Sequence, residues 1–237
     1  MKRLLFLIFI IFLSSCQALP QMLPQTLPMI NSPVSSTDQK AFACPYPFLK
    51  EKYRLVHAVE TRMAGDTRGT IIGVTVADPS TRSVSCAIMT AEGMTLFEAE
   101  SSQGELKVNR ALPPFDSADF AKNMIDDIKL IFFAPEGKPR IKGNLPDGAA
   151  VCRYSEENGG WIDVSFNKSG GTEIKRYSSS GILRRQIRFN KTAKNIYQRI
   201  ELQAHEQFNY SLLMTLLEAQ PVKSKVLQTK SLRNTQR

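Results

Sequence analysis

Apolar and polar positions alternate with a period of two along most of this 237-residue chain, and that period predicts strands. Tyr53, Leu55, His57 and Val59 fall on one face of the first. Residues 70–76, Thr-Ile-Ile-Gly-Val-Thr-Val, are β-rich and end at the turn Asp78-Pro79-Ser80. Val84, Cys86 and Ile88 alternate with small polar residues, and Gly93 and Gly104 open two more strands at 94–99 and 105–108. Strands resume at 150–154, 161–166, 172–177, 182–189, 196–202 and 210–216, with Asn158-Gly159-Gly160 and Ser169-Gly170-Gly171 as turns. The period changes once. Residues 117–133 follow Pro113-Pro114, carry a capping Asp116 or Ser117, and repeat Phe120, Met124 or Ile125, Ile128, and Ile131 or Phe132 at helical spacing. Pro135 and Gly137 stop that helix. The pattern predicts a mainly β, α+β chain: about ten or eleven antiparallel strands and one main helix.

The N-terminus follows a different rule. Lys2 and Arg3 precede ten consecutive apolar residues, 4–13, and then Ser14-Ser15-Cys16. This is the layout of a secretory signal peptide. Ten residues make about 15 Å of helix, against a bilayer core of about 30 Å, so a spanning anchor is the weaker reading. Leu13-Ser14-Ser15-Cys16 resembles a bacterial lipobox, in which the chain is cut before the cysteine and the cysteine is acylated. Two or more acyl chains make such anchoring stable. Gln17, where an Asp would mark retention in the inner membrane, favours the outer membrane.

Domain organisation follows from composition. Residues 1–15 are the signal peptide. Residues 16–43 form a tether with Leu-Pro at 19–20, 23–24 and 27–28, which disfavours helix and sheet ladder alike. The tether is either a spacer between lipid and body or a segment whose apolar residues lie against one of them. Residues 44–219 form a body of about 175 residues, enough for one real core, and 42% hydrophobic with 22% charged residues is an ordinary globular balance. Residues 220–237 are a basic tail of disordered composition. The formal charge of +9 becomes +7 without Lys2 and Arg3. Outside the cytoplasm that charge faces anionic headgroups rather than nucleic acid, or simply solvates the tail.

Catalytic chemistry is sparse. His57 stands on the apolar face of a strand, which favours a satisfied core residue over a catalyst. His205 has no companion motif. No metalloprotease, nucleophile-elbow, phosphate-loop or Cys-x-x-Cys signature occurs. Asp126 and Asp127, adjacent on a helix, point about 100° apart and cannot share a proton site; Asp127 can serve by accepting hydrogen bonds from neighbouring backbone. Metal or cofactor sites are not expected. With Cys16 lipidated, Cys44, Cys86 and Cys152 remain, allowing at most one internal disulfide and one spare thiol. A bond from Cys44 would pin the tether's end, and Cys86 also fits a small buried hydrophobe. No pairing is favoured.

The order of these features carries a resemblance. A lipobox and tether precede a meander containing Gly93-Met94-Thr95-Leu96-Phe97, a Pro-led helix ending Asp127-Ile128-Lys129-Leu130-Ile131-Phe132-Phe133, further hairpins, and a late Tyr210-Ser211-Leu212. Over residues 50–218 this is similar to the LolA/LolB lipoprotein-carrier superfamily, and especially to LolB-like outer-membrane lipoproteins. Phe133 stands where that pattern has Trp, and Pro135 falls one residue late. The resemblance implies an open antiparallel half-barrel with a helical lid or plug, a concave apolar face for acyl chains, and no enzyme activity.

The expected ligand-binding residues are Ile72, Val74, Val76, Val84, Ile88, Leu96, Ile162, Val164 and Phe166 on the concave face, with Ile128, Phe132 and Phe133 from the helix. Cys16 is the expected lipidation site. The expected partners are the membrane through the N-terminal lipid, an acyl chain or lipoprotein as cargo, and an envelope protein if the chain works in assembly; nucleic acid is not expected, and the chain reads as a monomer at the periplasmic face of the outer membrane. Three function classes follow: a carrier of acylated cargo, a non-catalytic assembly lipoprotein, and an envelope enzyme.

Overall fold

The computed structural model describes residues 32–33, 43–63, 66–166, 171–190, 196–205 and 209–223. Cys16 and most of the tether and tail lie outside them. The strands are β1 (Ser32–Pro33), β2 (Tyr53–Met63), β3 (Asp66–Asp78), β4 (Ser83–Met89), β5 (Thr95–Ser102), β6 (Glu105–Ala111), β7 (Ile141–Asn144), β8 (Ala150–Ser155), β9 (Trp161–Phe166), β10 (Thr172–Tyr177), β11 (Leu183–Asn190), β12 (Arg199–Ala204) and β13 (Tyr210–Pro221). They form one antiparallel sheet in the order β1-β7-β8-β9-β10-β11-β12-β13-β2-β3-β4-β5-β6. Twelve strands belong to the body and β1 comes from the tether, so the count exceeds the expected ten or eleven. The extra strands are the short β7 and the two-residue β1, too brief to leave a period. Pro33 has no amide to donate and so fits an edge strand.

The sheet is open, with β1 and β6 at its edges. The chain's first and last long strands, β2 and β13, pair at its centre, with Tyr53 opposite Pro221. The helix α1 (Ala118–Phe132) connects β6 at one edge to β7 near the other. Ser117 caps it, its Oγ accepting from the Phe120 amide at 3.1 Å, and Asp119 and Lys129 complement the dipole at the two ends.

Register defines the face beneath the helix. Leu55, Thr75 and Cys86 lie in one row, and His57, Gly73, Ile88 and Phe97 in the next. On the other half, Val164, Ile174, Ile187, Leu202 and Leu212 form a row. These rows, with α1, make the core: Val164, Ile174, Ile187 and Phe97 are fully buried, and Leu202 nearly so.

Candidate functional site

The helix is held on the sheet by different chemistry along its length. Near its start, Phe120 meets Phe97 edge-on at 5.4 Å, and Met124 Sδ lies 3.9 Å from the thiol of Cys86. Lys129 Nζ donates to Ser101 Oγ at 2.9 Å. At the C-terminal end, Leu130, Ile131, Phe132 and Phe133 are all buried. The Arg82 guanidinium lies 5.6 Å from the centre of the Phe133 ring.

In the middle stands a polar knot. Asp127 is buried on α1 and accepts from Arg185 Nε at 2.7 Å and from the Tyr210 hydroxyl at 2.6 Å. Arg185 also lies over the Tyr210 ring, 5.7 Å from its centre. Burial pushes the Asp127 carboxyl above the usual carboxylate range, against the opposing pull of Arg185 and Tyr210. These partners come from β11 and β13, so the knot ties the helix to the half of the sheet away from β4 and β5. Asp127 therefore accepts from side chains of distant strands, not from neighbouring backbone.

A second cover lies beside the helix. Residues 44–52 form a strap, fixed at one end by the disulfide Cys44–Cys152 and at the other by the start of β2. Phe48 and Leu49 of the strap are buried, and the Leu49 amide donates to the Phe132 carbonyl at 3.0 Å. Among the described residues Cys86 is the free thiol, buried, with its pKa pushed up to about 11 by desolvation. It behaves as a small hydrophobe.

Strap, helix end and sheet enclose a void of about 10 Å³, lined among others by Pro47, Leu49, Leu55, His57, Phe132 and Phe189. That is space for one water at most. The apolar face is therefore closed. A larger cavity of about 610 Å³ lies on the other flank of α1, between Asn123, Asp126 and Asp127 and the arginines Arg176 and Arg185. It is polar, and Arg176 is already bound to Glu156 by two contacts at 2.8 and 2.9 Å. Among the described residues no group of three or more His, Cys, Asp or Glu is placed to hold a metal, and no helix is long and apolar enough to cross a membrane.

The structure divides the expected site residues. Val84, Ile88, Ile162 and Val164 are buried on the helix side, and Phe166 shares that face but is 42% exposed at a strand end. Ile128, Phe132 and Phe133 are buried between helix and sheet or strap. Ile72, Val74 and Val76 stand on the opposite face: Thr75 pairs with Leu55 and Cys86 beneath the helix, so its even-numbered neighbours point away, half-buried. Leu96, half-buried beside the register shift between β4 and β5, packs against the core cluster. Gly73, Thr75 and Ala77 are thus inside with Ile71, and Gly73 lies between the large His57 and Ile88, where a Cβ would come within 3.3 Å of Val59. The sequence reading missed Arg185 and Tyr210 as partners of Asp127, and took His57 for a satisfied core residue. His57 is 1% exposed, but its Nδ1 has no hydrogen-bond partner in the protein.

No protein-family model matches the chain, and no curated protein matches it in sequence. Solved structures do. A LolA-superfamily protein from Nitrosomonas europaea superposes with a TM-score of 0.52 at 13% identity, over 81% of this chain and 95% of that one. An outer-membrane lipoprotein-sorting protein domain from Vibrio parahaemolyticus gives a TM-score of 0.42 at 11% identity, over 78% and 89% of the two chains. The first likeness shows the fold: a LolA-like open sheet with its helix.

Proposed function

We propose that this protein is a non-catalytic carrier in the bacterial envelope, which takes the acyl chains of a lipoprotein or lipid between its sheet and α1, and which is itself anchored in the outer membrane by lipid on Cys16. The observation that carries the reading is the apolar inner face of an open sheet, covered by one helix that buries Ile125, Ile128, Ile131 and Phe132.

The closed void means that cargo must displace side chains. An acyl chain of about fourteen carbons gains on the order of 10 kcal/mol at about 0.8 kcal/mol per buried CH₂. Displacing Ile128, Ile131 and Phe132 costs roughly 5–9 kcal/mol at about 1.5–3 kcal/mol per side chain. The gain exceeds the cost by a few kcal/mol at most, which suits a carrier that must also release.

The test uses a neighbour already in place. Met124→Cys would face Cys86 across the seam, so that oxidation ties α1 to β4. Full-length protein carrying this bond, verified by mass spectrometry, is expected to take up a pyrene-labelled acyl ester far more slowly than oxidised wild type. Uptake at the wild-type rate would overturn the lid, and failure of wild type to bind any acyl probe would overturn the carrier.

The closed inner face itself favours a second reading, a non-catalytic assembly lipoprotein that binds another envelope protein. The exposed edge strand β6, with Leu106 and Val108 about two-fifths exposed, is the surface it would offer. Gentle purification separates the two: co-purified lipid supports the carrier, and a stoichiometric envelope protein supports the alternative.

A further inference from the structure

We propose that His57 is the polar contact of the acyl site, its Nδ1–H donating to the carbonyl oxygen of a neutral acyl ester or amide. This deepens the carrier reading and rests on it. His57 is 1% exposed in a wall that is otherwise apolar, and its Nδ1 has no partner in the protein. A buried polar nitrogen left without a hydrogen bond is costly, and native interiors hold few. It stands at the void bounded by Leu55, Phe132 and the strap residue Leu49. Its ring is 6.2 Å from that of Phe132, on the very turn that cargo must displace.

The chemistry of the wall selects the ligand. No charged side chain lines the void. Desolvation holds His57 down at a pKa of about 4, so the imidazole is neutral and supplies one donor. An ionised carboxylate would be buried there without a counter-ion, which is costly. A pure hydrocarbon would leave Nδ1 unpaired. An acyl chain joined through an ester or amide satisfies both constraints.

The experiment compares methyl palmitate, hexadecane and ionised palmitate as competitors of the pyrene-labelled ester on the full-length protein. Wild type is expected to prefer the ester over the hydrocarbon of equal length by about threefold to tenfold, the worth of one net hydrogen bond, and to bind ionised palmitate more weakly than the ester. His57→Phe should erase the preference for ester over hydrocarbon while still binding hexadecane, and His57→Asn, which keeps a donor, should retain part of it. Nitrogen-15 NMR of the wild-type histidines supplies a readout that needs no variant: the Nδ1 resonance of His57 should move on adding methyl palmitate. An unmoved resonance, or equal preference in wild type and His57→Phe, would overturn this role while leaving the carrier standing. If neither ester nor hexadecane binds wild type, carrier and contact fall together.

Discussion

Cutting the strap's covalent end isolates one contribution to stability. The disulfide Cys44–Cys152 closes a loop with a sequence separation of 108. In the chain-entropy account, a loop of that length destabilises the unfolded state by about 4.8 kcal/mol at 25 °C. Cys44→Ser is the cleaner variant. Cys44 is only half-buried, whereas Cys152 is fully buried, and a serine there would add the cost of a buried hydroxyl. Phe48 and Leu49 remain to dock the strap, at about 1.5–3 kcal/mol each, so the native state should survive. With a urea m-value near the upper end for small proteins, the midpoint should fall by roughly 2 M, with m rising somewhat as the released unfolded chain expands. The thermal midpoint should fall by roughly 10–20 °C. Wild type treated with reductant should match the variant. A midpoint shift below about 0.5 M in urea would refute the reasoning, because the strap would then contribute no cross-link entropy.

Asp127→Ala leaves Arg185 buried without its carboxylate, and should lower the free energy of unfolding by about 3–5 kcal/mol in urea titrations; Asp127→Leu combined with Arg185→Met should recover most of it. If the double variant is as unstable as the single, the knot is not a charge pair in the energetic sense. His57 titrates near 4 when folded and near 6.5 when unfolded, so the unfolded chain binds more protons between those values. Its contribution is whole above pH about 6.5 and lost as pH falls toward 4, roughly 3 kcal/mol in all. Asp127, with its pKa raised, works in the opposite direction, so the quantity to follow is wild type minus His57→Phe; a difference that stays flat across this window would contradict the burial argument. Cys16→Ser should abolish incorporation of labelled palmitate and leave the chain unprocessed or unanchored; equal labelling of both proteins would refute lipidation.

The helix was legible because three independent signals agreed: Ser117 at the cap, a 3.6-residue repeat, and Pro135 beyond the end. The strands were legible as alternation, but alternation alone carries no sign. In β4 the choice was forced, since Val84, Cys86 and Ile88 alternate with the small Ser83, Ser85 and Ala87. In β3 both faces hold apolar residues, and bulk pointed to the wrong one, because the inner position opposite His57 is a glycine, where a Cβ would crowd Val59 at 3.3 Å. A one-residue error of this kind moves a whole strand's set to the other side. The pairing of Cys44 was illegible for another reason: Cys152 is 108 positions away, and only the completed sheet sets them 5.7 Å apart at Cα.

Asp127 did leave a readable trace. Three residues after Met124 and four before Ile131, it falls on the apolar stripe of α1, and an acid there must have a buried partner. The partners themselves, 58 and 83 positions later, come from strands that only the sheet order brings under the helix. The apolar run Leu130 to Phe133 at the end of the helix also has a local explanation. That turn is covered by the sheet on one side and by the strap through Leu49 on another. The strap is fixed at both its ends, so the C-terminal half of α1 is the part hardest to lift. The N-terminal half is the other extreme: Ala118, Asp119, Lys122 and Asn123 are exposed, and Met124 and Phe120 are only half-buried. Opening is therefore expected to begin at the N-terminal half, where Ala121 and Ile125 are the buried anchors, and to reach Ile131 and Phe132, which cargo must displace, only once the Asp127 knot has let go.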